Sequence, residues 1–317
     1  MSKTIYLAGG CFWGMEKLMQ SVPGVIDATS GYANGRDGAE PKYKAVCAGG
    51  TGFRETVRVS YDPEQVSLET ILFQFFSVID PTQKNRQAHD IGEQYQTGVY
   101  YTDDKTKRTV EAVAEIERRR HTPFYVEIKP LTNFFEAEEY HQDYLDKNPS
   151  GYCHIPPAAF KNAARITVDA GRYPRPSEQR LKAALTPEQY HITQEAGTEA
   201  PYTNPFWQHR EKGVYVDITT GEPLFVSADK FTSGCGWPAF SKPLDPAVIA
   251  ELSDASHGMR RTEARSRAGN AHLGHVFRND PESPTGTRYC INSAALRFVP
   301  LADMDKEGYG EFKALVG

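Results

Sequence analysis

Apolar residues recur along this chain in two rhythms, and the rhythm changes past its middle. Thr4 to Ala8 is a short apolar run closed by Gly9-Gly10, which predicts a strand. Phe12, Met15, Leu18, Met19 and Val22 then follow at helical spacing until Pro23-Gly24, so a strand gives way to a helix at Cys11. Thr56 to Tyr61 alternates as a half-buried strand and stops at Asp62-Pro63. Ser67 stands where a cap is wanted for a helix carrying Leu68, Leu72, Phe75, Phe76 and Ile79 on one side. A charged helix over 103–120, a strand over 124–129 and a helix over 136–145 complete an α/β succession. From 160 to 177 the periodicity fades, and Gly171-Arg172-Tyr173-Pro174-Arg175-Pro176 is punctuation without an element. We place a linker over 160–177, between domains spanning 1–159 and 178–317. Beyond one helical stretch over 177–195, the second half reads as short strands and turns: a hairpin of 214–218 and 224–227 around Gly221, and a strand-rich segment over 287–300. The predicted fold class is α+β, with a mostly β second domain.

Length agrees with two domains, since single cores stop growing near ~250–300 residues and the chain has 317. With 39% hydrophobic and 24% charged residues it can bury an ordinary core, which excludes a disordered chain. A net charge of −5 drawn from interspersed acids and bases leaves no basic stripe, so no nucleic acid is expected as a partner. No run approaches the ~18 apolar residues of a membrane span. Met1 to Leu7 lacks the apolar core of a leader, so a cytoplasmic address is expected.

Five cysteines, at 11, 47, 153, 235 and 290, are an odd and scattered set, unlike the framework of a small secreted fold. In a reducing compartment each is an inert core residue, a metal ligand or a redox catalyst, and context decides. Cys11, at a strand-to-helix junction, faces unpaired backbone N–H groups and the positive end of a helix dipole, which lower a thiol pKa. It is a nucleophile candidate. Phe12 and Trp13 beside it are either core residues or the walls of an apolar pocket. By strand parity Glu55 shares a face with Val57, Val59 and Tyr61; buried there, its carboxyl stays protonated near neutral pH and can donate a proton, whereas beyond the strand end it is simply solvated. In the second half Arg288, Cys290 and Asn292 share one strand face, and Arg288 lowers the Cys290 pKa.

The string Gly10-Cys11-Phe12-Trp13-Gly14, followed by Gly31-Tyr32, Pro41-Lys42-Tyr43, Phe53-Arg54-Glu55, His89-Asp90-Ile91-Gly92-Glu93-Gln94-Tyr95, Ala137 to Gln142 and Gly151-Tyr152-Cys153, strongly resembles peptide methionine sulfoxide reductase A over nearly all of residues 3–157. The resemblance implies a two-layer α/β domain with a mixed sheet. It implies that Cys11 attacks the sulfoxide sulfur, Glu55 protonates the departing oxygen, Tyr43 and Tyr95 hydrogen-bond that oxygen, Asp90 supports the site, and Phe12 and Trp13 cradle the substrate methyl. Attack leaves a sulfenic acid that a second thiol must close, and Cys153 is the implied partner. Many relatives carry one further recycling cysteine; none stands here before the linker, so a single disulfide is expected. Cys47 fits no step and is taken as structural.

Ser233 to Phe240, His272-Leu273-Gly274-His275-Val276-Phe277 and Arg288 to Ser293 together resemble methionine sulfoxide reductase B over roughly 185–300. That resemblance implies an antiparallel, barrel-like domain with Cys290 as nucleophile and Cys235 as resolving thiol. His272 and His275 supply the acid function, Asn292 and Arg288 organise the site, and Trp237 receives the methyl. Relatives that bind zinc carry two CxxC pairs. Val216 to Thr219 and Ser266 to Gly269 stand in their place here, so no structural zinc and no other cofactor is expected. The turn Phe277-Arg278-Asn279-Asp280-Pro281 departs from the family's Asp-Gly-Pro, and no role is carried over to Asn279 or Asp280.

Sulfoxide sulfur is a stereocentre, so one rigid pocket serves one epimer; the resemblance gives the S form to the first domain and the R form to the second. Thioredoxin is the expected reductant of both disulfides. The alternatives are a thiol peroxidase or disulfide exchanger, which the lack of a CxxC disfavours, a module binding Met-rich surfaces, and a metal-binding protein.

Overall fold

The apolar run after Met1 folds as β1 (Lys3–Ala8) and hands over at Cys11 to α1 (Phe12–Ser21), as the change of rhythm predicts. These belong to the first of two compact units, Met1–Gly171 and Arg172–Gly317, in a computed structural model that describes residues 1–36 and 41–317. The first unit continues through β2 (Val25–Ala33), α2 (Tyr43–Cys47), β3 (Arg54–Tyr61), α3 (Leu68–Phe76), β4 (Arg86–Gln87), β5 (Asp90–Ile91), β6 (Gly98–Tyr101), α4 (Asp104–Arg120), β7 (Glu127–Pro130), β8 (Phe134–Glu136), α5 (Tyr144–Lys147) and α6 (Pro157–Ala163). Its six-stranded sheet runs β7-β6-β1-β3-β2-β8. Neighbours are antiparallel except β6 and β7, which are parallel, so the sheet is mixed. Leu7, Val57 and Val59 meet Met15, Leu18, Ile71 and Phe75 in the core. Side-chain caps set the helix starts: Ser67 accepts from the Thr70 N–H and Asp103 from the Thr106 N–H.

Three elements differ from the sequence expectation, each for a local reason. β2 had no apolar alternation to announce it, because Thr29, Ser30 and Gly31 occupy the stretch where it pairs with β3 on one side and, at Gly31 to Ala33, with β8 on the other. A Cβ on Gly31 would stand 2.3 Å from the Phe134 ring, so the close strand approach requires glycine. The expected helix over 136–145 is instead the end of β8, a single 3-10 turn at Glu139–His141 and α5. Asp143 breaks it by taking φ 51°, held there by its N–H bond of 2.8 Å to buried Glu16. The segment after α6, expected within the linker, is fastened to the start of α3: the Asp169 carboxylate accepts from the Ser67 N–H at 3.0 Å and from the Thr70 hydroxyl at 2.7 Å.

In the second unit the expected single helix is two, α7 (Glu178–Ala184) and α8 (Pro187–Glu195), because Thr186 forms a capping box with Gln189 and Pro187 opens a new helix. The strands are β9 (Gly213–Asp217), β10 (Pro223–Val226), β11 (Lys230–Phe231), β12 (Ala239–Phe240), β13 (Ile249–Asp254), β14 (Arg261–Ser266), β15 (His272–Arg278), β16 (Thr287–Ile291) and β17 (Leu296–Pro300). They make two antiparallel sheets, β10-β9-β17 and β11-β12-β16-β15-β14-β13. Among the described residues no helix is long and apolar enough to cross a membrane.

Candidate active sites

Cys11 is the N-cap of α1 and only 6% exposed. The Trp13 N–H points at its sulfur and favours the thiolate, but burial and the nearby Glu55 and Asp90 carboxyls outweigh it. The thiol therefore sits well above its ordinary pKa, against the lowering predicted from the helix terminus. The reason is dielectric: one backbone donor does not replace the water removed from a buried sulfur. Glu55 follows its strand parity and is 1% exposed, its pKa pushed up to about 8 chiefly by burial and further by Asp90. Its Oε2 accepts the Phe12 N–H at 3.1 Å, which fixes the carboxyl beside the N-cap.

Around these two the structure gathers Tyr43, Tyr95, Asp90 and Cys153. Tyr95 is held neutral by burial and by Glu55, Cys11 and Asp90, and Tyr43 by burial, Cys47 and Glu55. Both phenols thus remain donors. Cys153 is half-buried on the segment between α5 and α6, and a Cβ at Gly14 would lie 2.8 Å from its sulfur. Its own pKa is raised by burial. Phe12 lies fully in the core, while the indole of Trp13 is partly open and stacks on Tyr144 at 3.7 Å between centroids. The Trp13 Nε1 donates to His141 Nδ1 at 3.1 Å.

Sequence reasoning missed several members of this cluster. Tyr144 backs Trp13, His141 orients it, and Tyr152 donates to Asp90 at 3.1 Å. His141 and Tyr152 lay inside the quoted motifs, so their position was the available signal. Cys47, taken as structural, is exposed and shares a side-chain hydrogen bond with Tyr43 from one turn along α2.

In the second unit Cys290 pairs across the sheet with His275 in β15, and its sulfur stands 3.2 Å from that of Cys235. Cys290 donates its S–H to Cys235 across that gap. The pKa of Cys235 falls to about 5, first through the hydrogen bond from Cys290, while Cys290 is driven up by the same bond and by burial. Arg288 favours the thiolate of both. The lowered pKa predicted for Cys290 thus belongs, in the resting pair, to Cys235. Arg288 is held by Asp280, whose Oδ2 accepts from its Nε at 2.7 Å, and lies over the Phe277 ring at 4.5 Å. Asp280 accordingly has a place in the site that the departing turn motif concealed. Asn292, one residue past the end of β16, bonds the Glu199 N–H and the Leu273 carbonyl through its side chain, tying the loop before the hairpin to the sheet. Trp237 is partly exposed, with its Nε1 on the Glu199 carbonyl.

His272 is buried, its Nδ1 bonded to Glu263 at 2.6 Å and its Nε2 without a partner. His275 bonds Asp254 at 2.8 Å, with its pKa lowered by burial, and the two rings lie 5.6 Å apart. The unsatisfied Nε2 marks a place for a bound group.

Zinc does not fit the positions where relatives carry cysteine pairs. Asp217 already accepts the Thr219 N–H and hydroxyl, and a Cβ at Gly269 would fall 2.3 Å from the Asp217 carboxylate and 2.5 Å from the Thr219 hydroxyl. Among the described residues no group of three or more His, Cys, Asp or Glu is placed to hold a metal ion. Beside this network Glu222 and Arg267, both buried, bond at 2.9 and 2.6 Å, and Glu222 also takes the Ala268 N–H at 3.0 Å. Glu222→Gln should cost about 3–5 kcal/mol by stranding a buried guanidinium; urea unfolding of the full chain measures it.

Two units that each set a pair of thiols beside proton donors define a thiol-dependent oxidoreductase. Residues 3–170 match the family described as peptide methionine sulfoxide reductase, and residues 185–300 match the SelR domain. The chain belongs to the peptide methionine sulfoxide reductase family, an A-type reductase domain followed by a B-type one. Similar solved structures include reduced Mxr1 from Saccharomyces cerevisiae, 38% identical over 49% of this chain and 91% of that one, with a TM-score of 0.47. Methionine sulfoxide reductase A of Corynebacterium diphtheriae is 34% identical over 49% of this chain and 83% of that one, with a TM-score of 0.44. Mxr1 in complex with Trx2 is 27% identical over 45% and 84%, with a TM-score of 0.32.

Proposed function

We propose that Cys11 and Cys290 each remove oxygen from methionine sulfoxide, the first unit acting on the S epimer and the second on the R epimer. The observation that carries this reading is the buried, protonated Glu55 fixed by the Phe12 N–H beside the Cys11 sulfur. Sulfur attack on S=O places negative charge on oxygen, and an acid held there with the Tyr43 and Tyr95 phenols stabilises that charge where it develops. The Cys11 proton has a matching acceptor only as oxygen leaves, so a raised resting pKa keeps the thiol idle until substrate enters. Asp90 holds Tyr152, and the open face of Trp13 suits a methyl group, with Phe12 behind it.

In the second unit the free Nε2 of His272, with His275 beside it, supplies the proton, and Arg288 steadies the thiolate. Trp237 offers the methyl wall. Closure by Cys153 or Cys235 leaves a disulfide, which a low-potential dithiol protein such as thioredoxin, near about −270 mV, reduces. That requirement favours a cytoplasmic setting. No step calls for zinc or another cofactor.

The test supplies each epimer separately to the full chain and to Cys11→Ser and Cys290→Ser variants, with thioredoxin as reductant. Cys11→Ser should lose turnover of the S form alone and Cys290→Ser that of the R form alone. Loss of the same epimer by both variants refutes the assignment.

A further inference from the structure

Trp13 and Tyr43, which the reading above sets against the substrate methyl and oxygen, are held by one turn, residues 138–141. On one side the Trp13 Nε1 donates to His141 Nδ1 at 3.1 Å. On the other, Glu138 Oε1 accepts the Tyr43 N–H at 3.0 Å, and the Tyr43 and His141 rings lie with centroids 4.4 Å apart. The turn itself is pinned. The His141 N–H closes on the Glu138 carbonyl at 2.8 Å, and Gln142 beside it bonds the Ser30 and Ala137 carbonyls, each at 2.9 Å. Asp143 follows, fixed to Glu16 of α1.

Trp13 also stacks on Tyr144, with centroids 3.7 Å apart and planes at 11°. A stack fixes a ring's height and tilt but leaves it free to slide and turn within its own plane, where only weak dispersion opposes it. The indole hydrogen bond supplies the missing restraint. An indole N–H only donates, so Nδ1 accepts, and the neutral imidazole carries its proton on Nε2, which is buried without a partner. His141 is 1% exposed, and burial lowers its pKa, with the Glu138 carboxylate opposing only in part. A phenyl ring would fill the same space without stranding a polar atom, so what histidine adds at this position is the acceptor at Nδ1.

We propose that His141 sets the choice of epimer in the first unit, by locking the Trp13 indole in place relative to Tyr43. This rests on the reading of Cys11, Trp13 and Tyr43 above. A sulfoxide sulfur bears an oxygen, a methyl, the longer chain and a lone pair. With attack fixed at Cys11 and the oxygen fixed at Tyr43 and Glu55, the R epimer exchanges methyl and chain, so its chain falls against Trp13. A wall that holds still rejects the longer group, and one that can swing within its plane admits it. His141 acts through Trp13 and is a positioning residue.

The experiment uses the full chain carrying Cys290→Ser, so that turnover of either epimer comes from the first unit, and measures kcat/KM for each with thioredoxin as reductant. Adding His141→Phe, which keeps a ring and loses the acceptor, should lower the ratio of S to R turnover by at least about 10-fold, with R turnover rising to a measurable level. His141→Asn, whose Oδ1 can stand where Nδ1 stood, should keep more of the ratio. Benzothienylalanine in place of Trp13 exchanges only the indole N–H for sulfur and leaves His141 untouched. It should lower the ratio as His141→Phe does, and it decides the matter even if the histidine variants misfold. The two changes combined should cost no more than either alone, because they delete the same bond. An unchanged ratio, loss of both epimers in equal proportion, or R turnover that stays undetected in both chains overturns the proposal. Absence of S turnover in Cys290→Ser with His141 intact overturns the underlying reading of Cys11.

Discussion

Glu55→Gln should lower S-epimer turnover about 10²–10⁴-fold, the range for loss of a positioned acid, and at pH 8–9 should make the first unit harder to unfold. Both effects have one origin. The carboxyl is 1% exposed and holds its proton up to about pH 8, while in the unfolded chain it ionises near the ordinary 4.5. Between those values the folded form binds a proton that the unfolded form has released, so stability falls as pH rises through the window and stays low above it. The penalty is on the order of a few kcal/mol at pH 8–9. Glutamine has the same shape, keeps an oxygen for the Phe12 N–H, and carries no charge to desolvate. Urea midpoints of variant and parent should therefore agree near pH 5 and separate above pH 7, the variant higher. Parent activity on the S epimer should decline as pH passes about 8, where the acid is lost. A variant with normal turnover, or a parent profile flat through pH 9, would show that Glu55 is not the proton donor.

Cys235→Ser should stop thioredoxin-driven turnover of the R epimer by at least about 10³-fold while leaving one round of methionine release intact. At 3.2 Å the Cys290 thiol donates to Cys235, which favours the thiolate on Cys235. Removing that thiolate relieves Cys290 of its largest upward influence and leaves burial opposed by Arg288, so the Cys290 pKa should drop. Iodoacetamide labelling should follow: one fast thiol in the second unit of the parent at pH 6–7, assigned to Cys235, and a fast thiol at Cys290 in the variant. Methionine release lost in Cys235→Ser but kept in Cys290→Ser would reverse the roles of the two cysteines.

What could be read from the sequence was whatever obeys a period. The helical spacing from Phe12 to Val22 is that of α1, and strand parity alone is enough to turn Glu55 inward. What could not be read depends on partners distant along the chain. β2 is held by ladders to β3 and β8, not by its own apolar pattern, and Asp143 leaves the helix because Glu16 holds its N–H from α1. The same limit governs the thiols. A helix terminus is visible in sequence, but the burial and the carboxylates that outweigh it at Cys11 are not. The salt bridge from Asp280 to Arg288 was hidden because it crosses a hairpin turn whose motif had changed.

The buried Glu222 and Arg267 brace the same part of the second unit in which related proteins place a metal clip. Four thiolate ligands would be targets for the very oxidants whose damage this protein repairs, and their loss would eject the ion and loosen the fold. A carboxylate and a guanidinium offer peroxide nothing to attack. This brace is thus insulated from the stress that creates the protein's substrate, and thiol chemistry in this unit is confined to the pair that can be recycled.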